Sequence, residues 1–307
     1  MRKQFWLIIL ISLLVQLGAR PLLADVPEFG WHDKTYVPFQ ASKVDPRFAY
    51  LMYVPEDYDE NEERLYPLLV LMHGTERAPH HYIMLNAEFA ETYDVILMAP
   101  LFPVGTHGGL DLENYKFLDY EDTRYDLMLL SMIDEVSAKY RIDGNRFSLF
   151  GFSGGGHFSH RFFYLHPHRL NALSIGAPGV VTLIDNNSDW WVGTRDIYWR
   201  FNVRMDLADM RRVPVHMVIG AQDLESWGDK IPKASPYYMG ENVPGASFHA
   251  AGKNRQERLA KLRDNFEAHE ISVQFEVVPG VGHEHAGMFP AMQRFFIDKL
   301  SLEQRAK

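Results

Sequence analysis

Gly151-Phe152-Ser153-Gly154-Gly155 stands between two segments of different periodicity. Upstream, Arg146-Phe147-Ser148-Leu149-Phe150 reads as a short buried strand. Downstream, Gly154 to His168 reads as a helix, with Phe158, Phe162 and Leu165 at i, i+4 and i+7 on one face. A G-x-S-x-G pentapeptide at such a junction makes a sharp turn that lifts the serine hydroxyl above the sheet edge. The flanking glycines are needed because a Cβ would clash where strand folds back against helix. In a chain with 22 glycines the pentapeptide alone is a weak signal, and its placement is what gives it weight.

Two further stretches complete the pattern. Gly220-Ala221-Gln222-Asp223 follows the apolar run Val215-His216-Met217-Val218-Ile219, which places Asp223 at the C-terminal end of a buried strand, on the sheet edge where ligands bind. Gly280-Val281-Gly282-His283 follows Val273-Gln274-Phe275-Glu276-Val277-Val278, another expected strand. Ser153, Asp223 and His283 therefore occur in the order nucleophile, acid, base, each after its own strand. That order fits an α/β-hydrolase and differs from the chymotrypsin and subtilisin orders. Glu225, two residues on, is the rival acid. Leu68-Leu69-Val70-Leu71-Met72 is an apolar strand ending in His73-Gly74-Thr75. The loop after that strand lends one backbone N–H to the oxyanion hole of this fold, here assigned to Thr75, with the N–H of Gly154 as the second donor. Two such donors stabilise charge that develops only in the tetrahedral transition state. His73 is read as a scaffold group bonded to nearby backbone.

With these pieces in place, the chain from about Phe48 to Phe296 resembles the α/β-hydrolase superfamily. Gly151-Phe152-Ser153-Gly154-Gly155-Gly156 and His73-Gly74-Thr75 look like its secreted esterase and polyhydroxybutyrate-depolymerase branch. The G-x-S-x-G-G form is also similar to prolyl-oligopeptidase-like serine peptidases. Many depolymerase-like members carry a cysteine after the His-Gly pair and disulfides elsewhere. This chain has Thr75 there and no cysteine at all.

The amino terminus reads as a leader. Met1-Arg2-Lys3 is a basic start, Phe5 to Leu17 is apolar apart from Ser12 and Gln16, and small residues follow at Ala19 and Ala24. Residues 1–24 are expected to be a signal peptide and 25–307 one hydrolase domain, secreted or periplasmic. The apolar run is short for a bilayer span, so no stable membrane association is expected after cleavage. Loss of 1–24 removes Arg2, Lys3 and Arg20 and no acid, taking the formal net charge from −9 to −12. That balance excludes the basic footprint a nucleic-acid binder needs and disfavours anionic lipid.

Strands are expected near Tyr36–Gln40, Phe48–Val54, Pro67–Met72, Val95–Ala99, Arg146–Phe150, Ala172–Gly176, Val215–Gly220 and Ser272–Val278. Helices are expected near His80–Thr92, Thr123–Tyr140, Gly154–His166, Asn254–Glu270 and Glu284–Leu300. The alternation predicts an α/β-hydrolase fold: a mostly parallel eight-stranded sheet with helices on both faces. No helix separates the first two strands, so that edge is expected to be antiparallel.

Between the sixth and seventh strands lies an aromatic-rich excursion, Pro178 to Arg212, with Trp190, Trp191, Tyr198, Trp199 and Phe201. One expectation is a cap over Ser153 in which Trp190, Trp191 and Trp199 meet the substrate; the other is that these rings pack the excursion onto the domain. The loops Leu101 to Tyr125 and Leu224 to Lys253 add further aromatics at the same edge. His283-Glu284-His285 lacks a third ligand at matching spacing, so no metal and no cofactor are expected, and His285 reads as a helix-start residue. His80, His81, His157 and His160 read as surface groups or groups packed behind the site. The function these residues imply is cleavage of small-molecule or polymeric carboxylic esters through an acyl-enzyme on Ser153. The alternatives are a prolyl-oligopeptidase-like serine peptidase, or a non-catalytic binding protein on a hydrolase fold.

Overall fold

The central strands are apolar without alternation, which is the pattern of strands covered on both faces. A computed structural model describes residues 29–225 and 251–302. In chain order they run β1 (Thr35–Ala41), β2 (Ala49–Val54), β3 (Leu68–Met72), α1 (Pro79–Met84), α2 (Ala87–Tyr93), β4 (Ile96–Leu101) and a small hairpin, β5 (Asp119–Tyr120) with β6 (Thr123–Arg124). Then follow α3 (Tyr125–Ser137), β7 (Phe147–Phe152), α4 (Gly154–Leu165), β8 (Leu170–Gly176), α5 (Ile197–Phe201), α6 (Leu207–Met210), β9 (Val215–Gly220), α7 (Arg255–Ala268), β10 (Val273–Val278) and α8 (Phe289–Lys299). The expected leader, 1–24, lies outside the described residues.

Eight strands form one sheet in the order β1-β2-β4-β3-β7-β8-β9-β10. Every pair from β4 to β10 is parallel, whereas β2 is antiparallel to both β1 and β4. The antiparallel edge and the eight expected strands are found. β3, β7 and β9 are buried along their whole length, while edge strand β1 is largely exposed. After β3 the chain moves outward to β4 and then crosses back to β7 on the other side of β3. This reversal puts a topological switch point at the carboxyl ends of β3 and β7, the place where a doubly wound sheet binds its ligands. His73 and Ser153 immediately follow those two ends.

Three helical expectations need correction at their bounds. The helix over 80–92 is two helices, α1 and α2. The Asn86 side chain donates to the Tyr82 carbonyl at 2.8 Å and accepts from Gln293 at 2.8 Å, so a local side-chain bond competes with the helical ladder there. The helix over 123–140 begins only at Tyr125 and ends at Ser137, because Thr123 and Arg124 pair with Tyr120 and Asp119 in the hairpin. The helix over 284–300 is a short 3-10 turn at Ala286–Met288 followed by α8, with proline in its first turn. The excursion, where no element was assigned from the sequence, carries α5 and α6.

Candidate active site

β7 delivers Ser153 into a conformation few side chains adopt, φ 54° and ψ −112°. An L-residue held there costs about 1–3 kcal/mol, which the surroundings must offset. They do so through bonds on both sides of the turn: the Ser153 N–H donates to the Gly176 carbonyl at 2.8 Å, and His157 N–H donates to the Ser153 carbonyl at 3.1 Å. The first turn of α4 also lies against the end of β3. A Cβ on Gly155 would stand 2.2 Å from the Met72 carbonyl oxygen, so only glycine permits that approach.

Asp223 and His283 arrive on two loops that are bonded to each other. Gln222 N–H donates to the Val281 carbonyl at 2.8 Å, and Ala221 N–H to the Val278 carbonyl at 2.9 Å. Their closeness depends on Gly220, where a Cβ would meet the Val281 oxygen at 2.2 Å. The three side chains then form one line. His283 Nδ1–H donates to Asp223 Oδ2 at 2.6 Å, and Ser153 Oγ–H donates to His283 Nε2 at 3.0 Å. With its proton on Nδ1 and directed at the carboxylate, the ring leaves Nε2 free to accept from serine. Asp223 is buried, His283 is open to solvent on one side, and the Phe152 ring supports the imidazole with centroids 4.8 Å apart.

Burial alone would raise the Asp223 carboxyl, but the bond from His283 and the nearby Arg255 charge outweigh it and hold it below the usual carboxylate range. Arg255 Nη1 donates to Asp223 Oδ1 at 2.9 Å, so both carboxylate oxygens are engaged. Glu225, the rival acid, is largely exposed and lies 3.5 Å from the same arginine nitrogen.

Thr75 and Gly154 are also brought together. The Thr75 nitrogen lies 3.1 Å from where a Cβ on Gly154 would stand, and Gly154 is the first residue of α4, whose leading N–H groups have no partner within the helix. The same point is 2.5 Å from Tyr115 Oη and 2.9 Å from Lys116 Cε. Tyr115 stands in the sequence only as one aromatic of the 101–125 loop, and nothing there marks Lys116, since each needs the fold to bring it to this point. Tyr115 donates to the His73 carbonyl at 2.9 Å. Lys116 is buried and paired with Glu113 at 2.8 Å, and burial pulls its ammonium below the usual lysine range despite that pairing.

His73 has the scaffold place expected of it: Nδ1–H donates to the Gly74 carbonyl at 2.8 Å, and Nε2 accepts from Phe102 N–H at 3.2 Å. His157 and His160 are not at the surface. Both are buried on α4 and accept, through Nε2, the N–H groups of Val180 and Thr182, each at 3.0 Å. They fix the start of the excursion to the helix that carries Ser153. His285 precedes the 3-10 turn and stacks on Tyr82 at 4.7 Å. Among the described residues no group of three or more His, Cys, Asp and Glu is placed to hold a metal ion.

The three tryptophans occupy different settings. Trp190 donates its indole N–H to the Phe117 carbonyl at 3.1 Å and packs edge-on against Phe201. Trp191 is buried beside Phe117 and Val180. The buried guanidinium of Arg161 lies 5.3–5.8 Å from the rings of Phe117, Trp190 and Trp191. Trp199 is 84% exposed. Most of the expected aromatic loop from Leu224 to Lys253 lies outside the described residues, and no helix of the described residues is long and apolar enough to cross a membrane.

No protein-family model matches this sequence, and no curated protein is significantly similar to it. Solved structures do resemble it. A poly(3-hydroxybutyrate) depolymerase from Bordetella parapertussis superposes with a TM-score of 0.64 at 21% identity, covering 84% of this chain and 88% of that one. Poly(aspartic acid) hydrolase-1 from Sphingomonas sp. KT-1 gives 0.60 at 17% identity, covering 80% and 92%. A ferulic acid esterase gives 0.57 at 19% identity, covering 86% and 97%. The chain has the α/β-hydrolase fold.

Proposed function

We propose that the protein is an exported serine hydrolase that cleaves carboxylic esters through an acyl-enzyme. The single observation that carries this reading is the continuous line from Ser153 Oγ to His283 Nε2 (3.0 Å) and from His283 Nδ1 to Asp223 (2.6 Å), at a strained serine on a strand-to-helix turn. The first 24 residues act as the export leader. Two proteins that share the fold are named a poly(3-hydroxybutyrate) depolymerase and a ferulic acid esterase, and an ester substrate is in keeping with both names.

In the reaction, Ser153 Oγ attacks the acyl carbon while His283 Nε2 takes the hydroxyl proton. The carbonyl oxygen becomes negative and is received by the N–H groups of Thr75 and Gly154. Loss of one such donor costs about 3–4 kcal/mol of transition-state stabilisation in enzymes of this type. The tetrahedral species collapses, the C–O bond to the alcohol breaks, and the leaving oxygen takes the proton from His283. Water then attacks the acyl-serine, giving its proton to His283, and collapse returns that proton to Ser153 as the acid departs. Asp223 stays ionised throughout, holding the Nδ1–H tautomer and stabilising the imidazolium that forms twice per turnover.

Ser153→Ala tests this directly. Hydrolysis of p-nitrophenyl esters is expected to fall by more than about three orders of magnitude with an unchanged circular dichroism spectrum, since the hydroxyl does the chemistry and contributes little packing. Near-wild-type rates in a folded variant would end the assignment.

A further inference from the structure

Among the described residues the carboxylate of Asp223 has two partners, and the triad uses only one of them. Arg255 opens α7, 32 residues along the chain from Asp223. Its guanidinium is buried, and Nη1 donates to Asp223 Oδ1 at 2.9 Å while Oδ2 accepts from His283 at 2.6 Å. The next residue, Gln256, donates to the Gly220 carbonyl at 2.8 Å, at the end of β9 from which the acid loop springs. Two consecutive side chains at the start of α7 therefore clasp the acid loop, one by its backbone and one by its carboxylate. Asn254 caps this helix by accepting from Glu257 N–H at 2.9 Å, which fixes where α7 starts and hence where Arg255 points.

Resting on the serine-hydrolase reading above, we propose that Arg255 is a positioning residue that locks the Asp223 carboxylate in the orientation in which it can hold His283. Among the described residues the guanidinium pairs with Asp223 and, at 3.5 Å, with the exposed Glu225. Its Nε atom has no hydrogen-bond partner among the described residues, so within them the guanidinium is anchored through Nη1 alone. An arginine that served only packing would not need its nitrogen on the one oxygen the histidine leaves free. Without that donor, Oδ1 becomes a buried acceptor without its partner, and the carboxylate can turn about its Cβ–Cγ bond away from His283 Nδ1. Misplacement of a catalytic group by about 1 Å can cost about a hundredfold in rate.

The test compares Arg255→Met, Arg255→Lys, Asp223→Asn and the Arg255→Met/Asp223→Asn pair in hydrolysis of p-nitrophenyl butyrate, with Ser153→Ala as control. Each rate is referred to folded protein measured from its melting transition. Arg255→Met is expected to lower kcat about ten- to a hundredfold with KM within about twofold, because the substrate does not touch Arg255. Arg255→Lys should recover part of that loss. With Asp223→Asn already present, Arg255→Met should change kcat by less than about twofold, because the arginine acts through the carboxylate. Should the methionine variant not fold, the lysine variant in both backgrounds makes the same comparison. Wild-type kcat in Arg255→Met, or an equal loss with and without Asp223, would overturn the proposal while leaving an inactive Ser153→Ala and the serine mechanism intact. An active Ser153→Ala would overturn both.

Discussion

Removing the charge of Asp223 and removing that of Glu225 are expected to have unequal effects. Asp223→Asn places an amide where the histidine needs an acceptor and can favour the wrong tautomer, a change that costs about ten thousandfold in comparable triads. Glu225→Gln alters an exposed group 3.5 Å from Arg255 and should leave kcat within about twofold. Rates of both variants on one ester decide the matter, and a larger loss for Glu225→Gln would mean the acid is misassigned. At this scale Ser153, Asp223 and His283 were legible because each sits just past an apolar run, with glycines that mark a turn. Arg255 and Lys116 were not, and Tyr115 stood out only as one aromatic of the 101–125 loop. No local pattern marks one arginine among 31 basic residues as the partner of a carboxylate 32 positions away.

The excursion after β8 is where the sequence left two readings of the same aromatic residues. Trp190 and Trp191 crowd the buried Arg161, which also donates to Thr182 Oγ1 at 2.9 Å. Together with His157 and His160 they tie the excursion to α4. Trp190 is half-buried, so Trp190→Ala should destabilise the fold by about 1–3 kcal/mol, read as a lower melting temperature, and affect esters of different acyl length alike. Trp199→Ala, at an 84% exposed ring, should leave stability nearly unchanged. Kinetics on three or more esters, measured beside melting temperatures, separate packing from pocket: a reordered preference in Trp190→Ala would make that ring part of the pocket. The misjudged helix bounds share a cause with this ambiguity. Asn86 breaks a helix through Tyr82 and Gln293, and the 119–124 hairpin consists of two-residue strands, so in both places tertiary contacts override periodicity.

Across the whole molecule, buried neutral histidines tie stability to pH. Burial lowers His73 and His160 to about 3 and His216 to about 4, against an ordinary value of 6.5. Their folded values lie below the unfolded one. As pH falls from about 6.5 to about 4 the unfolded chain takes up protons that the folded chain refuses, and stability is lost by up to about 1.4 kcal/mol per pH unit for each histidine. The depressed Asp126 and Asp223 act in a lower window, keeping their contribution above about pH 4 and losing it below. Calorimetry should find the melting temperature falling by several degrees between pH 7 and pH 5, and a flat profile there would contradict these buried, neutral rings. The sheet order itself was open to the sequence only in part: alternation implied a parallel sheet, but the reversal between β3 and β7 that aligns His73-Gly74-Thr75 with Ser153 appears only in three dimensions. Peptide mapping after treatment of the folded protein with a fluorophosphonate locates the nucleophile itself. A single adduct on Ser153, absent from Ser153→Ala, is expected; labelling elsewhere, or an unlabelled Ser153 in protein that still hydrolyses esters, would rule out Ser153 as the nucleophile.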